Sequence, residues 1–192
     1  MDKKIYQDTI VRLYTDGDCS GNQSRTNVGG WGAVLYFAGH EKELFGGQAN
    51  TTNNRMELTA VIRAFQALNR PGLQVQVFSD SSYVMNCFRN RWYVSWERNG
   101  WKNAKKDPVE NQDLWQELLA LVRQHEVSFF RVKGHVSIGK SSEPALRKLY
   151  TKFVAWNGAG FSYEDFLFVT EMNNRADALA NRGIDQIREE TR

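Results

Sequence analysis

The chain has 192 residues, 41% of them hydrophobic and 24% charged, with a formal net charge of +3. Such values suit a water-soluble globular protein with a sizeable core, and no apolar run approaches the roughly eighteen residues that a membrane span needs. A surplus of three positive charges is too small to identify a polyanion partner, so where the charge lies matters more than its sum.

Residues Thr9 to Thr15 and Gly30 to Phe37 read as paired strands, and Glu43 to Gly47 extends them into an antiparallel meander through a turn at Ala38 to Glu41. Gly29-Gly30-Trp31-Gly32 reads as a flexible approach to the second strand. From Asn53 to Asn69, apolar residues at Met56, Ala60, Val61, Ala64, Phe65 and Leu68 trace one helix face, and Pro71-Gly72 ends it. Leu73 to Phe78 alternates, with Val75 and Val77 on one face, giving a strand that returns beside the first with the helix as crossover. Ser81 to Arg91 and Pro108 to Gln124 follow as helices, Val127 to Val132 as a strand and Asn173 to Arg188 as a final helix. The assembly is α/β, a mixed sheet flanked by helices, in one domain over 1–192. The first ten residues hold no apolar block of signal-peptide length, which points to the cytoplasm, where Cys19 and Cys87 are expected to stay thiols.

Four acids stand in segments that fix their surroundings: Asp16 in Tyr14-Thr15-Asp16-Gly17-Asp18, Glu57 in Asn54-Arg55-Met56-Glu57-Leu58, Asp80 in Val77-Phe78-Ser79-Asp80-Ser81 and Asp177 in Asn174-Arg175-Ala176-Asp177-Ala178. Asp16 and Asp80 end strands, while Glu57 and Asp177 open helical stretches, so all four can converge. Singly, each is an ordinary turn residue; jointly they read as a metal site. Two such charges about 4 Å apart repel by about 4 kcal/mol at an effective dielectric near 20, and bound Mg²⁺ relieves that cost. Phosphodiester hydrolysis needs an activated water and a stabilised leaving oxygen, which two Mg²⁺ ions about 4 Å apart supply. Glycoside hydrolysis uses two carboxylates and leaves the others idle. His135, in Lys133-Gly134-His135, is a Gly-hinged imidazole able to take up a proton. His40 and His125 read as surface residues.

Between Asn86 and Lys106, six basic residues face one acid, Glu97, a local net charge of +5, interleaved with Trp92, Tyr93, Trp96 and Trp101. Cations release counterions from phosphates and aromatic faces pack on sugars or bases; the same tryptophans also suit a core. Gly134 to Ser141 matches the phosphate-cradling pattern G-x-x-x-x-G-K-[ST]. Pro144 falls where the helix of such a loop should start, which argues against ATP or GTP binding.

Thr15 to Asn22, Thr52 to Leu58, Ser79 to Ser81 and Val132 to His135, followed by Asn173 and Asp177, stand in the order of ribonuclease H of type I. The chain resembles that family over about residues 8–136 and again over 173–184. The resemblance implies a ribonuclease H-like mixed five-stranded sheet, and endonucleolytic cutting of the RNA strand of RNA–DNA hybrids that leaves 3′-hydroxyl and 5′-phosphate ends. It implies two Mg²⁺ ions, with Mn²⁺ as a substitute: Asp16 bridging both, Glu57 and Asp80 on the leaving-group side, Asp177 on the water side, and His135 catalytic. Cys19, Ser20, Asn22, Asn53, Asn54, Ser81 and Asn173 fall at hybrid-contacting positions, suited to sensing a 2′-hydroxyl. Trp92, Trp96, Trp101, Lys102, Lys105 and Lys106 match the basic protrusion that grips the DNA strand in some members.

Residues 137–172 depart from the family as an insert whose apolar content demands burial. A helical hairpin turning at Asn157-Gly158-Ala159-Gly160 is expected, packed on the body, set against the hybrid through Lys140, Arg147, Lys148 and Lys152, or binding a partner. No protein partner is otherwise implied, and a monomer is expected. Two alternatives stand beside the ribonuclease: a hybrid-binding module that does not cut because the insert displaces His135 or Asp177, and the same fold acting on another nucleic acid, as in junction resolvases, transposases or proofreading exonucleases.

Overall fold

The computed structural model describes residues 9–21 and 27–191. Five strands, β1 (Ile10–Ser20), β2 (Val28–Phe37), β3 (His40–Ala49), β4 (Gln74–Ser79) and β5 (Glu126–Arg131), form one sheet in the order β3-β2-β1-β4-β5. The first three pair antiparallel, whereas β1, β4 and β5 run parallel. Parallel pairing needs crossovers, supplied by α1 (Asn53–Gln66) before β4 and by α2 (Ser82–Arg89), α3 (Trp92–Arg98) and α4 (Gln112–Val122) before β5. The β2–β3 hairpin turns on Ala38 and Gly39 alone, both left-handed, a tighter turn than the four residues expected. No helix among the described residues is long and apolar enough to cross a membrane.

Each face of the sheet carries its own core. Val11, Leu13, Val75 and Val77 point toward α1 and α4 and meet Leu58, Val61, Phe65, Leu118 and fully buried Trp115. On the opposite face, Tyr14, Phe78 and Phe130 stand in register across β1, β4 and β5 and stack with ring centroids 5.1 Å apart at both steps. Such a ladder of rings requires a cover, since each aromatic buries some 150–250 Å² of surface.

The insert supplies that cover. After a 3₁₀ turn at Ile138–Lys140, α5 (Glu143–Asn157) and the start of α6 (Tyr163–Glu190) form the expected hairpin. Phe161 meets Phe130 edge-on at 5.0 Å, Phe168 meets Tyr14 and Tyr36, and Phe153 and Phe166 close the layer behind them. Packing on the body, one of the three roles open to the insert, is realised in these contacts. The second arm of the hairpin is not a separate helix, however. The final helix begins at Tyr163 rather than Asn173 and runs unbroken for 28 residues from a Ser162–Asp165 capping box, because nothing between Tyr163 and Asn173 breaks it.

Two contacts lock these layers. A Cβ on Gly30 would collide with the Ala180 carbonyl, and one on Gly32 with that of Ala176. These glycines are therefore places where α6 lies directly on β2, which corrects the reading of a flexible segment. At the outer edge of β5, the Asn157 side chain accepts from the Arg131 amide and donates to its carbonyl, both at 2.8 Å, as a neighbouring strand would.

Because Phe153 sits fully buried between insert and body, Phe153→Ala is expected to cost about 3–5 kcal/mol in urea unfolding. A loss below about 1 kcal/mol would show that the insert packs independently of the second core.

A candidate metal centre built from four carboxylates

Strand alternation places the first two acids. Asp16 lies two residues beyond Tyr14 and Asp80 two beyond Phe78, so both turn toward α6 at the end of the parallel pair. Glu57 arrives from α1 on the other side. It reaches the same point because Gly17 leaves room: a Cβ there would run into the Met56–Glu57 peptide. Asp16, Glu57 and Asp80 each bring one carboxylate oxygen within 4.8 Å of the others.

Asp177 joins from the middle of α6, not from a helix start as expected. The rotation of α6 that aims it is fixed nearby. Arg175 bonds Glu41 at 2.7 Å and Glu43 at 2.6 Å on β3, and Asn174 donates to the Val136 carbonyl at 2.8 Å. That last bond pins the loop carrying His135, whose backbone is left-handed at φ 55° and whose Nδ1 lies 3.8 Å from Asp177 Oδ1. The insert thus leaves the loop without pulling His135 away. Gly134 is required there, since the Asp80 carboxylate occupies the space a Cβ would take.

The electrostatics suit a bound cation. Burial, then the charges of Asp80 and Asp177 and a hydrogen bond with Asp177, push Asp16 from its ordinary 3.8 up to about 8, although a bond from the Gly17 amide pulls the other way. Burial and the charges of Asp16, Asp80 and Asp18 hold Glu57 well above the carboxylate range. Burial raises Asp80 as well, partly offset by the Asn173 amide and by His135. Glu57 Oε2 is buried without any hydrogen-bond partner. An all-oxygen donor set with an orphaned buried oxygen and retained protons fits a hard divalent cation such as Mg²⁺ or Mn²⁺.

The remaining residues singled out in the sequence divide. Cys19 and Ser20 end β1 half-buried; the Cys19 thiol is pushed up to about 11, by burial and then by Asp18, and Ser20 Oγ accepts from Arg188 at 2.6 Å. Asn22 lies outside the described residues. Asn53 is exposed and Asn54 half-buried at the start of α1, whose cap is Thr52. Ser81 is buried and its hydroxyl caps α2, accepting from the Val84 amide at 3.3 Å. Buried Asn173 faces Asp80 and keeps its Oδ1 unpartnered. Trp96 packs between Trp92, Trp101 and buried Trp115, so Trp96 and Trp101 lean on the core, whereas Trp92 is 38% exposed. Lys102, Lys105 and Lys106 are exposed on a loop ordered by Asn99 and Asn103, which accept from the Lys102 and Lys105 amides. His125 accepts from the Leu73 amide, a structural role.

The Gly134 to Ser141 segment makes no phosphate cradle. The Lys140 and Ser141 amides are spent on the Ser137 and Ile138 carbonyls. Pro144, expected to prevent a helix, sits in the first turn of α5, where its missing donor is harmless. Sequence reasoning missed Gly17, Asn174 and Arg175. Arg175 lay in plain view beside Asp177, but its partners are more than 130 positions away.

Residues 8–145 match the family described as RNase H. The chain is 46% identical over 179 residues to Ribonuclease H of Neisseria meningitidis serogroup C, covering 93% of this chain and 98% of that protein. It is 52% identical over 132 residues to Ribonuclease H of Symbiobacterium thermophilum, covering 69% and 87%. Among solved structures, LC9-RNase H1, a type 1 RNase H with the type 2 active-site motif, superposes at a TM-score of 0.60 with 28% identity, covering 86% of this chain and 84% of that one.

The raised Asp16 fixes a sign for pH dependence. The folded chain holds this proton where the unfolded chain has released it, so its contribution is complete below the ordinary 3.8 and is lost as pH rises toward 8. Glu57 acts in the same direction. In chelator, the unfolding midpoint of the wild type is expected to fall over that window, and Asp16→Asn to be the more stable at pH 8 by on the order of 1–2 kcal/mol. Mg²⁺ at about a hundred times its Kd is expected to restore about 2.7 kcal/mol to the wild type. A flat profile in chelator would remove the carboxylate cluster as a strained site.

Proposed function

The chain belongs to the ribonuclease H family and is a ribonuclease; on that premise we propose that it hydrolyses the RNA strand of RNA–DNA hybrids endonucleolytically, with two Mg²⁺ ions, leaving 3′-hydroxyl and 5′-phosphate ends. The observation that carries this reading is the meeting of Asp16, Glu57 and Asp80 within 4.8 Å, beside Asp177 and His135. On it, residues 1–192 form one ribonuclease H domain, with 137–172 built into its second core.

Asp16, Glu57, Asp80 and Asp177 would hold the cations, and Mn²⁺ would serve in place of Mg²⁺. Bound divalent ions make a water nucleophilic at neutral pH and stabilise the departing oxygen. The protein's part is to bring four acids together at the cost of their mutual repulsion, and to keep the site closed beneath while open above. Glu57 and Asp16 are buried, whereas the His135 side chain is 77% exposed. His135 therefore stands where it can exchange protons with solvent and with Asp177, a role in turnover that does not hold the cations. Cys19, Ser20, Asn53 and Asn54 flank the cluster and suit contacts to sugar hydroxyls. Trp92 and the exposed lysines of the protrusion suit the DNA backbone.

With an end-labelled hybrid, Mg²⁺-dependent internal cuts are expected, and none in matched RNA–RNA or DNA–DNA duplexes. Asp16→Asn is expected to abolish cutting and leave binding largely intact; retained cutting would overturn the metal assignment. His135→Ala is expected to slow turnover roughly 10²-fold, so that complete loss would give His135 a larger role. Replacing Lys102, Lys105 and Lys106 by Ala should lower the salt slope of binding by up to about 0.9 for each phosphate no longer neutralised. An unchanged slope would return the protrusion to a solvated surface.

A further inference from the structure

Arg89 closes α2 and Arg131 ends β5, and the two meet where the insert returns to the body. Arg89 donates through Nη2 to the Trp156 carbonyl and to Asn157 Oδ1, each at 2.9 Å. Arg131 Cζ lies 4.3 Å from the Trp156 ring centroid, and its backbone is held by Asn157. Among the described residues neither guanidinium has a carboxylate partner, although Arg55, Arg123, Arg147, Arg175 and Arg188 all do. Arg131 Nε is buried with no hydrogen-bond partner at all. Burial, and then the charge of Arg131, lower the pKa of Arg89. Two adjacent cations with unspent donors are costly to keep together unless an anion joins them.

We propose that Arg89 and Arg131, gathered by Trp156 and Asn157 of the insert, form a phosphate-binding seat. Guanidinium forks match the oxygens of a phosphate group, and stacking on an indole holds one fork in place. The β4–β5 register pairs Arg131 with Ser79, the residue before Asp80. The seat therefore lies at the active-site end of the sheet, one strand outward from the carboxylates. Exposed Lys148 and Lys152, one turn apart on α5, continue the same sign of charge. On the hybrid-hydrolase reading, on which this assignment of the anion rests, the seat takes a backbone phosphate of the duplex, so the insert both covers the second core and lengthens the nucleic-acid footprint.

The test uses the full chain with Arg89→Gln and Arg131→Gln combined, and Arg123→Gln as a control for an arginine that already has a partner. Hybrid binding is measured in chelator across a salt series, and thermal unfolding is measured with inorganic phosphate against chloride at equal ionic strength. The double variant is expected to bind the hybrid about 3- to 10-fold more weakly, with a salt slope smaller by about 1. Its kcat at saturating hybrid should be unchanged and its protection by phosphate lost. Loss of phosphate protection with unchanged hybrid binding would overturn the duplex phosphate as occupant and leave free phosphate. Retention of both would overturn the seat. If the wild type fails to bind hybrid at all, the proposed function falls, while the phosphate arm still decides the seat. Should the double variant not fold, Arg89→Gln alone, at an exposed position, is read against the same outcomes.

Discussion

The direct contact between α6 and β2 is the constraint on which the site depends. With glycine at positions 30 and 32, the Ala176 and Ala180 carbonyls rest where side chains would otherwise stand. A helix held off by even one methyl group would carry Asp177 away from Asp16. Gly17 does the same for α1 and Glu57. The fold thus uses backbone-to-backbone packing to impose a cluster of like charges that electrostatics alone would scatter, and the raised Asp16 and Glu57 record how firmly it is imposed.

The insert and Asp177 share one helix. At about 1.5 Å per residue, a 28-residue helix is roughly 42 Å long. Its first turns bury Phe166 and Val169 beneath the Tyr14-Phe78-Phe130 ladder, and its middle presents Asp177. The ladder and the insert are therefore mutually required: one face of the sheet is aromatic because a helical hairpin covers it. The arginine pair at the end of α5 extends that logic from the core to the surface.

Much of this was legible in the sequence. The strands β4 and β5 fall within a residue of their expected positions because alternation and flanking turns mark them. The convergence of Asp16, Glu57 and Asp80 was readable because their segments mark two strand ends and a helix start, whereas Asp177 comes from the middle of a helix. What escaped depended on tertiary neighbours. β1 runs on to Ser20 through Asp-Gly-Asp, a sequence of poor strand propensity, because Gly17 to Ser20 pair with Val28 to Trp31. α6 starts ten residues before the expected Asn173 because the stretch from Tyr163 onward carries no breaker. α3 has only seven residues and buries none of them fully, so no apolar period marks it. The glycine contacts and the Arg175 bridges join residues far apart in the chain, and no local pattern announces them.

The Asn157 amide at the margin of β5 has a consequence beyond holding the insert. A sheet with a free margin offers a template on which another chain can add a strand, the first step toward aggregation. Here one margin, β3, opens with His40-Glu41-Lys42-Glu43, charged and exposed at its start, while the other spends its terminal amide and carbonyl on a side chain that cannot be extended. The insert that completes the core also closes the end of that margin.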